Sequence, residues 1–221
     1  QGGFQQSSTP AATYGSAFLP TTLGSGGATG GGGGPGGGAV QLTVAGAAQI
    51  DGSILARGGY RPATMDYRPG AGGSIFITAG TLTGIGVLDA QARDVGAWSG
   101  GGGGRIAVVL TNSTTFGSLA MRANGGTGGA GGGRYYHGAA GTIYRQTMVQ
   151  ALGQGTMTID NNGFAVSLYA VTEPSEAMNL TALSLPCRHY QSFDSQSPGI
   201  QQPREHSPGG GRRRSRKYRG G

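Results

Sequence analysis

The sequence predicts an all-β protein, a right-handed parallel β-helix or solenoid of about four coils with glycine-rich loops and a disordered basic tail. Three observations carry this expectation. Gly makes up 49 of the 221 residues, about three times its usual ~7 %. Short β-type runs recur roughly every 35 residues, and the glycine falls in phase with them. At ~0.5–1 kcal/mol each, that much glycine inside regular elements would cost ~25–50 kcal/mol, more than an ordinary domain's net stability. Glycine therefore belongs in turns, loops or conformations reserved for it, and helices are nearly excluded.

Taken in chain order, residues 1–23 carry no charge and are only mildly apolar (Phe4, Tyr14, Phe18), as suits an N-terminal cap or linker. A glycine-rich solenoid region is expected over 24–185. Its first strands follow a glycine at 38–44, 73–79, 104–110 and 141–145, with anchors Val40, Ile75, Ile106 and Ile143 spaced 35, 31 and 37 residues apart. A second strand follows each, anchored by Ile54, Leu88, Met121 and Ile159 at offsets of 14, 13, 15 and 16. Alternation with period two turns one face of each strand inward. Between one repeat and the next lies the glycine: 11 of 15 residues over 24–38, all of 100–104, and 7 of 9 over 125–133. A fixed pair of short strands with turn-rich connections is the sequence signature of stacked coils, and parallel crossovers are right-handed. Residues 164–185 add at least one further strand. From 186 to 221 the composition turns to Gln, Ser, Pro and Arg and cannot bury enough surface to fold.

These runs also carry a resemblance. Residues 72–91 (GGSIFITAGTLTGIGVLDAQ), 140–146 (AGTIYRQ) and 156–163 (TMTIDNNG) resemble the glycine-rich repeats of very long bacterial surface and secreted proteins, adhesin-like or autotransporter-passenger-like. The resemblance implies a surface or extracellular location and says almost nothing about chemistry. The glycine runs alone resemble the polyglycine-II segments of receptor-binding tip adhesins of some phage tail fibres and of a springtail antifreeze protein. Side-by-side packing of such helices needs residues without side chains. The runs are therefore either flexible surface loops or an ordered bundle.

Charge is segregated. The whole chain is +7, but residues 186–221 hold 8 basic and 2 acidic residues, whereas 1–185 hold 8 and 7. Arg212, Arg213, Arg214, Arg216, Lys217 and Arg219, with Tyr218 among them, form a candidate polyanion-binding tail, nucleic acid being one partner. The loops between repeats hold most of the remaining chemistry: Tyr60, Arg61, Tyr67, Arg68, Trp98, Arg134, Tyr135, Tyr136 and His137. Aromatic faces pack on sugar rings while Arg and His donate to hydroxyls and carboxylates, so these residues are the candidate ligand-binding set, against the plainer reading that they are ordinary exposed loop residues.

Catalysis finds little support. Asp51, Asp89 and Asp160 fall beside strands in non-equivalent registers, and His137, His189 and His206 have no metal or triad spacing. No catalytic residue, metal or cofactor is expected. The dinucleotide-type match at 126–131 is what chance produces at this glycine content. A single Cys187 excludes an internal disulfide framework, and no run of 18 apolar residues exists. The start at Gln1 reads as a processed chain or a fragment. The expected function is a non-enzymatic, secreted or cell-surface structural or adhesive protein that binds a surface glycan through its loops; the alternative is polyanion binding through the tail.

Overall fold

A computed structural model describes residues 13–28, 33–60, 68–94, 99–131, 134–164, 172 and 178–185. The tail at 186–221 and most of the segment at 164–185 lie outside the described residues. Eleven strands and no helix are present among those described: β1 (Ala39–Gln49), β2 (Ser53–Leu55), β3 (Ser74–Thr83), β4 (Val87–Asp89), β5 (Arg105–Leu110), β6 (Ala120–Arg122), β7 (Ala130–Gly131), β8 (Arg134–Tyr135), β9 (Thr142–Gln146), β10 (Thr156–Thr158) and β11 (Ala182–Ser184).

β1, β3, β5 and β9 lie side by side in parallel, with Val40, Ile75, Ile106 and Ile143 as register partners. A second parallel sheet is built from β2, β4 and β6, aligning Ile54, Leu88 and Met121. Ile75, Ile77, Ala79 and Leu82 of β3, Ile106, Val108 and Leu110 of β5 and Leu88 of β4 form one buried cluster. The other face of the first sheet is covered too. Phe76, Ala107 and Tyr144 stand in register there, packed with Ala17, Met157, Ile159 and Met178. Both faces being covered, β3 is buried along nearly its whole length, as expected of a parallel strand.

Beyond β9 the expected β-helix of about four coils is overturned, because the sheets are mixed rather than continuously parallel. The fourth second strand, expected around Ile159, does not join β6. Instead β10 folds back antiparallel on β9, Met157 opposite Tyr144, and β11 then pairs parallel with β10. β7 and β8 form a separate antiparallel pair. The cause lies in Tyr144. Its ring is wholly buried on the outer face; its hydroxyl donates to Gln146 Oε1 at 2.7 Å and accepts from the Gly155 N–H at 2.8 Å. Thr147 N–H donates to Gln150 Oε1 at 2.9 Å, tightening the same turn. Met157 and Ile159 are thereby drawn to the outer face, and among the described residues the second sheet has three strands.

The glycine segments are packed, not loose. Gly24 and Gly27 donate to the carbonyls of Gly37 and Gly34, and Gly34 and Gly37 donate to those of Arg68 and Ala71. The same step of three recurs from Gly70 and Gly73 to Gly59 and Ala56, from Gly100 and Gly103 to Tyr136 and Ala139, and from Gly138 and Gly141 to Gly126 and Ala123, all at 2.7–3.0 Å. An extended three-residue repeat that bonds only to its neighbours is polyglycine-II-type packing. A Cβ at Gly72, Gly100 or Gly141 would overlap carbonyl oxygens of adjacent segments. None of these three has a positive φ, so space rather than backbone conformation demands glycine there. Asn161, almost fully buried, closes one side of the bundle as a surrogate peptide group: its Oδ1 accepts from Gly125 N–H and its Nδ2 donates to Gly138 O.

Residues 13–23 lie across the outer face of the first sheet. Arg105 holds them there, its Nη1 donating to Tyr14 O at 2.7 Å and its Nη2 to Thr22 Oγ1 at 2.9 Å, while Ser74 Oγ donates to Thr22 O. β1 is left at the edge of its sheet, mostly exposed. Among the described residues, no helix is long and apolar enough to cross a membrane.

Candidate functional site: the tip of the glycine bundle

Each second strand runs into the bundle and each first strand leaves it, and the described residues farthest from the strands meet at one end of it. The hydrogen bonds define that end. Gly27 lies by Gly34, Gly34 by Arg68, Gly59 by Gly70, and Gly100 by Tyr136. Tyr60, Arg68, Arg93, Asp94, Tyr136 and His137 are thereby brought to one tip.

There the Arg93 guanidinium stacks 4.4 Å from the centre of the Tyr60 ring, an arrangement that orders both side chains while leaving the guanidinium N–H groups available. Asp94 Oδ1 accepts from the Thr127 N–H at 2.8 Å, fixing the neighbouring glycine turn. His137 packs against Phe164 with ring centres 5.4 Å apart. Its Nδ1 accepts from the Gly128 N–H at 3.0 Å, which places the ring proton on Nε2 and makes that edge a donor. Burial pushes the His137 pKa down, with Asp94 pulling the other way more weakly, so the ring is neutral at pH 7.

The sequence-expected set is only partly assembled. Tyr60, Tyr136 and His137 are half-buried at the tip, whereas Arg68 is buried, 7 % exposed, with its carbonyl engaged by Gly34. Arg134 and Tyr135 form β8. Arg61, Tyr67 and Trp98, like Arg212, Arg213, Arg214, Arg216, Lys217 and Arg219, lie outside the described residues. Sequence reasoning missed Arg93, which stands two residues beyond Gln91, the register counterpart of Arg57 and Asn124. The signal was that register: Arg57 pairs with the buried Asp89, its Nε donating to Oδ2 at 2.8 Å, whereas Arg93 stands two residues nearer the tip. Among the described residues no three His, Cys, Asp or Glu side chains gather as a metal site. What the tip offers chemically is donors and ring faces on a hydrogen-bonded backbone mount.

Comparison with family models, with curated proteins and with solved structures returns no match.

Proposed function

We propose that this chain is a non-enzymatic structural or adhesive module of a secreted or cell-surface protein, contacting a surface glycan through the bundle tip. One observation carries the reading: the glycine segments bond to one another at every third residue, and their ends hold Tyr60, Arg93, Tyr136 and His137 at one tip. A contact surface held on ordered backbone loses little conformational entropy on binding. Stacked Tyr and Arg match the apolar face and the hydroxyl edge of a sugar. The resemblance to surface-protein repeats and to glycine-rich tip adhesins points the same way.

The test is glycan-array binding by the full chain and by its Tyr60→Ala and Arg93→Ala variants. Binding that both substitutions weaken about tenfold, without lowering the melting temperature, supports the reading. Binding indifferent to both, or no glycan retained, overturns it. The segregation of +6 into residues 186–221 favours one second reading, polyanion capture by the tail. That reading requires salt-sensitive heparin or RNA binding that disappears when 186–221 are deleted.

A further inference from the structure

Where β10 folds back on β9 instead of extending the second sheet, a cleft of about 430 Å³ opens beside β6, lined by Met121, Arg122, Asn124, Ile143, Arg145 and Asp160 among others. We propose that this cleft binds the carboxylate-bearing ring of a uronic acid, with Arg145 as the principal contact of the carboxylate.

Arg145 is out of place for a structural residue. Its register partners along the sheet are Val108 and, one strand further, Ile77, both fully buried in the apolar core. An arginine has therefore replaced the aliphatic side chain on the core-facing side of the last parallel strand. One of its terminal nitrogens donates to Thr158 Oγ1 at 3.2 Å. Its Nε, a charged donor removed from solvent, has no hydrogen-bond partner among the described residues, and no described carboxylate lies within 4 Å of the guanidinium. A buried donor on a cation calls for an anionic acceptor. The exposed Arg122 adds a second positive charge, so with Asp160 the cleft is net positive.

The rest of the lining selects a sugar over a bare anion. Leu119, Met121, Ala123 and Ile143 supply an apolar floor of the kind on which the C–H face of a pyranose packs. Amide and hydroxyl groups rise around it: Gln91 donates to Asn124 Oδ1 at 2.8 Å, and Asn124 donates to Asp160 O at 2.8 Å, a ladder that holds both amides in place. The volume falls within the ~300–1,000 Å³ of small-molecule sites. This site is distinct from the tip and does not depend on it.

The experiment titrates the full chain with D-galacturonate and D-glucuronate by calorimetry and NMR, with D-galactose, acetate and inorganic phosphate as comparison probes. Uronate binding at least about tenfold tighter than galactose or acetate is expected, with a similar loss in Arg145→Gln and no change in Tyr60→Ala. In the unmodified chain the Arg145 Nε–H resonance shifts on adding uronate, which keeps the test decisive if Arg145→Gln fails to fold. A resonance that stays in place, affinity equal to that for galactose, or phosphate binding as tightly as uronate overturns the proposal.

Discussion

At the scale of single residues, the glycines divide into two kinds that the sequence does not distinguish. Gly100 is enclosed by backbone of the Gly126 and Gly138 segments, so an added methyl has no flexible side chain to displace; Gly46, at the irregularity in β1, has nothing within 4 Å of where a Cβ would sit. Gly100→Ala is therefore expected to cost about 3 kcal/mol, the upper end of ordinary overpacking. Gly46→Ala is expected to stabilise by about 0.4–1 kcal/mol by restricting the unfolded chain. Urea denaturation of both variants checks this, and equal effects would mean the bundle yields to a side chain. His137 gives a pH dependence of definite sign. Its folded pKa lies below the unfolded value of about 6.5, so below pH 6.5 the unfolded state binds the proton more readily. The stability His137 contributes is present above that pH and lost as pH falls. Protonation also removes the lone pair that accepts from Gly128. An NMR titration should give His137 a pKa under 6.5, with the Gly128 amide shifting in step; a value at or above 6.5 refutes the assignment.

At the scale of elements, the β9–β10 hairpin is where the chain departs from its own repeat, and Tyr144 is the latch. Removing the hydroxyl in Tyr144→Phe leaves the Gly155 N–H without its acceptor while the ring remains. The expected cost is about 1–3 kcal/mol, a drop of roughly 2–4 °C in melting temperature for each kcal/mol in a chain of this size. Calorimetry on the variant measures it, and an unchanged melting temperature would show that the turn is held by Gln146 and Gln150 alone. The same hairpin shows what the sequence could and could not reveal. The anchors Val40, Ile75, Ile106 and Ile143, and Ile54, Leu88 and Met121, were legible because they recur at matching positions in successive repeats, and a one-residue slip would carry each of them to the opposite face of its sheet. Met157 and Ile159 carry that same pattern, yet pack on the outer face. Alternation states that a strand has an apolar side, not which apolar surface it meets. The outer cluster was hidden because Phe76, Ala107 and Tyr144 differ so much in size that no repeat signal survives in them. For the tip, Tyr60, Tyr136 and His137 were visible by composition, while Arg93 and the inward-facing Arg145 required the register.

At the scale of the whole molecule, the two sheets and the glycine bundle share every chain segment: β3 is entered through Gly72 and Gly73, β5 through Gly103 and Gly104, β9 through Ala140 and Gly141. Opening the bundle therefore pulls on the strands that bury Ile75, Ile106 and Ile143, and losing the strands releases the register that aligns the glycines. Such coupling predicts one cooperative unit despite a composition usually associated with mobile loops. Amide hydrogen exchange tests this directly, since local opening free energies distinguish loops from cooperatively folded elements. The buried amides of Gly72, Gly100 and Gly138, which donate to Gly102, Tyr136 and Gly126, should be protected as strongly as those of β5. Exchange should begin instead at β1, which stands at the sheet's edge with most of its residues exposed. If the glycine amides exchange at unprotected rates while β3 and β5 stay protected, the bundle opens independently, and a rigid mount for the tip is ruled out. Protection equal to that of β5 would mean that glycine here acts as a core material, with backbone-to-backbone hydrogen bonds holding together what side chains hold in the sheets.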